Sequence, residues 1–208
     1  MTADNTAHYT PMDLALEVTR KALEPHRGKA IRVCDPACGN GVFLEAAITV
    51  MSEWLPDAAT RVFGGDIDKG ESEIAGERVR QLGGSSDQVA HWDALLGLPK
   101  YDAYIGNPPF LGGGKIPRDI SKRLVDQYDS HGLVDLCAYF LRLVDDAASA
   151  GATIGYVMTS SIDCGQTRVH GLKHMVANGW SIYDARRRFP WPGNAAVLVS
   201  TVCLQRVM

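Results

Sequence analysis

What most constrains the fold of this chain is a regular alternation of short apolar runs, bounded by Gly, Pro or Asp, with longer stretches of helical period. Residues 30–34 read as a short buried strand, 35–41 as a glycine-containing turn and 42–54 as an apolar helix. The cadence repeats with a strand over 61–65 ending at Asp66 and a charged helix over 71–82 closed by Gly83-Gly84. Residues 88–91 form a weaker third strand and 101–106 a fourth, stopped by Asn107-Pro108-Pro109 because a proline pair cannot continue a ladder. The following segment, with Gly112-Gly113-Gly114 and the charges Lys115, Arg118, Lys122 and Arg123, reads as a loop. A strongly periodic helix over 133–148, a strand over 153–158, a helix over 168–177 capped by Asn178-Gly179, and strands over 181–185 and 196–204 complete the order. Ahead of them lies a helix announced by Thr10 as N-cap, Pro11 and Asp13, ending near Pro25 and Gly28.

Strands alternating with helices predict an α/β fold, a mainly parallel seven-stranded sheet covered on both faces. The last two strands, joined without a crossover helix, form an antiparallel pair. A length of 208 residues with 46% hydrophobic content suits a single domain over 1–208. It divides into an N-terminal flanking helix (1–28), a half built on the first strands (29–103) and a second half (104–208). A formal net charge of −3 argues against a uniformly basic coat, but it conceals an asymmetry. Residues 1–103 carry net −6 and residues 104–208 net +3, which implies different partners for the two halves.

In open parallel sheets ligands bind beyond the carboxyl ends of the strands, near the switch in strand order. Those ends carry Asp35-Pro36-Ala37-Cys38-Gly39-Asn40-Gly41, then Asp66, then Asp93, then Asn107-Pro108-Pro109-Phe110. The first loop lacks both the Gly-x-Gly-x-x-Gly spacing that seats a pyrophosphate and the Gly-Lys-Ser/Thr of a P-loop, so a nucleotide diphosphate is disfavoured. An acidic residue opening a glycine-rich loop suits a ligand with a nearby cationic group, approached closely by backbone. Asp66 can accept two ribose hydroxyls and Asp93 an exocyclic amine. A ligand with an amino acid moiety, a ribose and an adenine satisfies all three, and S-adenosylmethionine has that composition.

Asp-Pro-Ala-Cys-Gly-x-Gly, Gly-Asp-Ile-Asp, Trp-Asp-Ala-Leu and Gly-Asn-Pro-Pro-Phe, in this order, resemble the amino-group DNA methyltransferases that make N6-methyladenine. The segment His8-Tyr9-Thr10-Pro11 ahead of the catalytic motif matches the gamma arrangement of that family. The runs Asn107 to Gly113, Asp135-Leu136-Cys137-Ala138-Tyr139-Phe140 and Trp191-Pro192-Gly193-Asn194-Ala195-Ala196-Val197 are similar to the branch found in large single-chain restriction-modification and phage-defence proteins. The resemblance implies a Rossmann-like class I S-adenosylmethionine-dependent fold. It also implies a cofactor site made of Tyr9, Thr10, Asp35, Pro36, Ala37, Cys38, Gly39, Gly41, Asp66, Ile67, Asp93, Ala94 and Asn107. Within that site Thr10 holds the carboxylate, 35–41 the methionine part, Asp66 the ribose, and Ile67 and Asp93 the adenine. Asn107, Pro108, Pro109 and Phe110 are the implied catalytic residues, with Phe110 stacking on a flipped adenine of double-stranded DNA and Phe189 or Trp191 packing near it. The run Arg186-Arg187-Arg188 reads as a solvated edge or as phosphate contacts; its place ahead of that aromatic loop favours contact, through Arg187 and Arg188. A target-recognition domain or subunit, expected in the resembled proteins, fits nowhere in these residues.

Protein-glutamine and RNA amino-group methyltransferases use the same Asn-Pro-Pro-aromatic solution, and a cofactor-binding subunit that relies on a DNA-reading partner is a further alternative. No residue set completes a metal site: His170 and His174 share a helix face near Cys164, without a fourth ligand. Five cysteines in segments that read mostly as core point to free thiols, and the absence of a signal-like opening or a long apolar stretch points to a cytoplasmic chain without a membrane span. Tyr139, Phe140 and Leu143 read as ordinary helix core.

Overall fold

A computed structural model describes residues 9–192 and 197–207. Its seven strands are β1 (Val33–Asp35), β2 (Val62–Asp66), β3 (Val89–His91), β4 (Ala103–Gly106), β5 (Thr153–Thr159), β6 (Trp180–Pro190) and β7 (Leu198–Arg206), in the sheet order β3-β2-β1-β4-β5-β7-β6. The pairs β1/β2, β2/β3, β1/β4 and β4/β5 are parallel, while β7 runs antiparallel to both β5 and β6. This is the class I methyltransferase sheet with its antiparallel C-terminal pair. The chain leaves β1 toward β2 and β3 and then returns to place β4 on the other side of β1. The switch in strand order therefore lies between β1 and β4, where a crevice opens at the carboxyl ends.

Strands β1, β4, β5 and β7 divide their side chains between two cores. Val33, Val62, Ala103, Ile105 and Val157 face α1 (Met12–Leu23) and α2 (Val42–Met51), and α3 (Lys69–Gln81) adds Ala75 and Val79 to the same layer. On the opposite face Cys34, Tyr104, Ile154, Tyr156 and Met158 pack with α4 (Arg118–Tyr128), α5 (Leu136–Ala147) and the helical segment formed by α6 (Gly165–Arg168), a π-turn (Val169–Lys173) and α7 (His174–Ala177). The alternation along β4 and β5 follows from the two-residue period of a strand.

Four expectations need correction. Helix α4 replaces the loop expected after the glycine run, because Ile120, Leu124 and Tyr128 share one stripe of an otherwise charged segment and bury it against α5. Pro11, not Thr10, occupies the N-cap of α1 and makes no side-chain cap, since its ring carries no acceptor, and the Thr10 hydroxyl accepts instead from Asn107. Strand β6 runs to Pro190 instead of ending at Ala185, carried past register shifts at Ile182/Asp184 and Arg186/Phe189, and it is an edge strand, where proline is tolerated. Cys164 is exposed, unlike the buried Cys34, Cys38, Cys137 and Cys203. The expected start of the last strand at Ala196 and most of the Trp191 to Val197 run lie outside the described residues, as does His8.

Candidate active site

The loop after β1 satisfies its own backbone. Ala37 donates its N–H to Asp35 Oδ1 (3.1 Å), Cys38 to the Gly65 carbonyl (3.0 Å), Gly39 to Asp66 Oδ2 (2.8 Å) and Gly41 to the Cys38 carbonyl (2.8 Å). Gly41 sits at φ +83 and launches α2, so the free N–H groups of the helix start beside the loop. Asp35 is 2% exposed, and burial pushes its carboxyl up to about 8 against the lowering effect of the Ala37 N–H. Its neighbour Gly106, at φ +143 on β4, has no room for a side chain, since a Cβ would stand 2.5 Å from Asp35 Oδ1. Asp66 takes the Asp68 N–H on its second oxygen at 2.8 Å, so it braces two loops while lining a cavity. Each carboxylate oxygen retains a second lone pair for a ligand hydroxyl.

Two cavities meet at the β1–β4 switch. The larger, about 400 Å³, is walled by Pro36, Ala37, Asp66, Ile67, Asp93 and Ala94 from the first half and by Asn107 and Pro109 from β4's loop. Asp93 caps the short turn Ala94–Leu96 by accepting the Leu95 N–H at 2.9 Å, and Arg123 of α4 stands 4.0 Å from its other oxygen. Ile67 is 67% exposed, an apolar side chain held out in the cavity mouth. The smaller cavity, about 240 Å³, is lined by Tyr9, Thr10, Asp35, Cys38, Gly39 and Glu71 among others, and Asn107 reaches this one as well. All the residues expected to hold the cofactor thus lie in the walls of one or the other cavity except Gly41, which sits at the start of α2.

Asn107 stands where the cavities join. Its Nδ2 donates to Thr10 Oγ1 at 3.3 Å, which sets the orientation of the amide, and its Oδ1 is buried without any partner. A buried acceptor left unpaired costs about 1–3 kcal/mol, and such groups mark positions where a ligand supplies the donor. Pro108 is buried and Pro109 exposed, and neither ring nitrogen carries a hydrogen that could compete for that oxygen. Phe110 is half-buried and packs against both apolar cores.

Phe189 and Trp191 are buried, 7% and 8% exposed, in the core that Phe110 also touches. The structure therefore places them in the same core as Phe110, and neither lines the two cavities. Arg186 lies over the Phe189 ring with its Cζ 4.0 Å from the centroid. Arg187 and Arg188 both bind Asp163, at 2.8 and 2.7 Å, and Arg188 adopts φ +47 at the register shift of β6. His174, considered above for metal, is hydrogen-bonded to Asp145 at 2.8 Å.

Several wall residues were not expected. Ile116, Pro117 and Ile120 close the larger cavity from the segment read as a loop, and the apolar stripe of α4 was the available signal. Phe140, read as ordinary helix core, also faces that cavity, whereas Tyr139 and Leu143 are core. Glu71 in the smaller cavity carried no sequence signal, as one charge on a charged helix.

Residues 88–207 match the family described as "MmeI, DNA-methyltransferase domain". The chain is similar to the type II methyltransferase M.BanIII of Aneurinibacillus aneurinilyticus, 24% identical over 200 residues that cover 86% of this chain and 34% of the relative. It is 26% identical to the type II methyltransferase M.VspI of Vibrio sp. (strain 343) over 155 residues, 72% of this chain and 36% of that one. The chain thus spans about a third of the length of these curated relatives. The type IIL restriction-modification enzyme MmeI, solved in complex with DNA, superposes with a TM-score of 0.64 at 19% identity, covering 93% of this chain and 34% of that chain, which shows a shared fold. With a family match over more than half its length, laid across the strand that leads into Asn107 and the segments after it, the chain belongs to the MmeI DNA-methyltransferase domain family.

Proposed function

We propose that this domain transfers a methyl group from S-adenosylmethionine to the N6 amino group of a flipped adenine in DNA, in the cytoplasm, within a restriction-modification or phage-defence system. The observation that carries this reading is the unpartnered Asn107 Oδ1 at the junction of the two cavities. The cofactor fits the walls present: an apolar chamber edged by Asp66 and Asp93 for its nucleoside, and an acidic one between Thr10, Asp35 and Gly39 for its cationic amino acid end. When bound, it supplies a methyl group already activated on a sulfonium, so the protein has to contribute alignment above all.

An adenine amino group is a poor nucleophile because its lone pair is delocalised into the ring. Asn107 Oδ1 and the Pro108 carbonyl accept its two hydrogens and draw the nitrogen toward a tetrahedral form with the lone pair free. Thr10 holds the amide in the orientation that presents oxygen, and the two prolines stiffen the loop, so the acceptors are aimed before substrate arrives. As the new N–C bond forms and the sulfonium S–C bond breaks, the nitrogen becomes cationic and acidic and gives up its extra proton to water, so no strong general base is needed. Phe110 stacks on the extruded base, and such stacking, worth about 1–3 kcal/mol, offsets part of the few kcal/mol that extrusion costs. Phe189 and Trp191 support Phe110 from behind, and Arg187 and Arg188 contact phosphate. Target reading by a further domain or subunit is part of the proposal; residues 1–208 alone then bind DNA weakly and with strong salt dependence.

The test is transfer of tritiated methyl from S-adenosylmethionine to unmethylated genomic DNA, with and without a candidate recognition partner, followed by nucleoside analysis. Label in N6-methyl-2′-deoxyadenosine is expected. Label confined to a methylated cytosine, to RNA or to protein glutamine would overturn the assignment.

A further inference from the structure

Three carboxylates line the smaller cavity, and their hydrogen-bond accounts differ. Asp68 is the N-cap of α3: its Oδ1 accepts the N–H groups of Gly70 (2.8 Å) and Glu71 (3.1 Å). Asp35 accepts the Ala37 N–H and is walled in by Gly106. Glu71 stands in the first turn of α3, where Oε1 accepts the Tyr9 hydroxyl at 2.7 Å. Its Oε2 is shielded from water and has no partner. That oxygen lies on the Gly39 side of the cavity, 4.0 Å from the position a Cβ on Gly39 would take.

We infer that Glu71 receives the α-ammonium group of the cofactor; the inference rests on the cofactor reading above and assigns one more residue to it. A buried carboxylate oxygen without a donor costs free energy in the empty site, and a cationic donor recovers it as a charge-assisted hydrogen bond. The carboxylate on the same α-carbon has separate donors nearby. The Thr10 hydroxyl accepts from Asn107 and keeps its own hydrogen to give, and the start of α2 brings Val42 and Phe43 to the cavity wall with its free N–H groups. The two charges of the amino acid end thus meet opposite partners on two sides of one chamber. Tyr9 completes the arrangement by crossing from Thr10 to α3, which holds the Glu71 carboxylate in place from the solvent side. Pinning the amino-terminal segment requires only Oε1, so the second oxygen is left for a ligand.

The test is calorimetric titration of the 208-residue chain with S-adenosylhomocysteine and with its analogue in which hydrogen replaces the α-amino group. Glu71→Gln keeps an acceptor for Tyr9 and removes the charge. It is expected to weaken S-adenosylhomocysteine about ten- to hundredfold and to leave the deaminated analogue within about twofold. Glu71→Asp, which keeps the charge but withdraws it by one methylene, is expected to lose the same preference for the amino compound and serves if the glutamine variant does not fold. Equal weakening of both ligands would make Glu71 a structural pin and overturn the inference. Tight binding of S-adenosylhomocysteine by wild type with no loss in either variant would overturn it while leaving the cofactor reading intact. Failure of wild type to bind S-adenosylhomocysteine would overturn both.

Discussion

The loops after β1 and β4 face each other across the switch in strand order and treat their polar groups in opposite ways. In the first, the N–H groups of Ala37, Cys38, Gly39 and Gly41 all have acceptors inside the protein, so the loop is a finished surface before any ligand arrives. In the second, Pro108 and Pro109 remove two donors and Asn107 Oδ1 is left buried and unpaired. A pocket that only binds gains from satisfying every group in advance, since rigidity lowers the ordering cost. A loop that has to reshape the hydrogen bonding of its substrate needs an acceptor with nothing yet on it, and the fold carries the resulting penalty.

That contrast can be broken most sharply at Asn107. Asn107→Ala is expected to lower methyl transfer by about 10²-fold or more, by analogy with removal of a preorganised polar group. The melting temperature should fall little or even rise, because an unsatisfied acceptor disappears with the side chain. Wild-type turnover, or a collapse in stability that matches the activity loss, would show that the loop is structural. The next largest effect belongs to the contact between the loops. Gly106→Ala places a Cβ against the Asp35 carboxylate in a backbone conformation that alanine avoids, and a loss of about 2–4 kcal/mol in denaturant unfolding is expected.

Titration of Asp35 sharpens the comparison from the binding side. Burial raises this carboxyl to about 8 in the folded chain, from an ordinary value near 4 when unfolded. Its protonated form therefore contributes stability that is fully present below about pH 4 and is lost as pH rises through about 8. A cationic ligand favours the ionised form, so affinity for S-adenosylmethionine should climb with pH up to about 8, approaching tenfold per unit. Asp35→Asn should flatten both profiles, and a pH-independent dissociation constant in wild type between pH 6 and 8 would contradict this account. The smallest expected effect lies furthest from the two loops. Arg188→Ala should weaken DNA binding a few-fold and reduce the dependence of log affinity on log salt by about 1, measured by fluorescence anisotropy at several salt concentrations; an unchanged slope would assign Arg188 to Asp163 alone.

Much of this architecture is legible in the sequence. The carboxyl ends of β1, β2, β3 and β4 carry Asp35, Asp66, Asp93 and Asn107 where strand periodicity and the glycine and proline stops placed them. Helix α4 escaped because its apolar residues, Ile120, Leu124, Val125 and Tyr128, are few and sit among seven polar or charged neighbours, so local hydrophobicity is low and only the spacing speaks for a helix. Phe140 escaped for the opposite reason: it belongs to a long apolar stripe, and nothing local separates a residue that faces a cavity from one that faces another side chain. Thr10 has the composition of an N-cap, and its hydroxyl accepts instead from Asn107 in the loop after β4.

The succession of the seven strands, the two-faced sheet and the chemistry gathered at its carboxyl edge were determined by the sequence alone, because periodicity, proline and glycine act over a few residues. The tertiary structure alone decided which polar atoms stay unpaired. Asn107 is oriented by Thr10 across 97 positions of chain, and Glu71 is half satisfied by Tyr9 across 62. A hydrogen-bond account closes only when distant segments are in contact. Asn107 Oδ1 and Glu71 Oε2, the two buried unpaired oxygens on residues that line these cavities, are properties of the folded chain that no local pattern encodes.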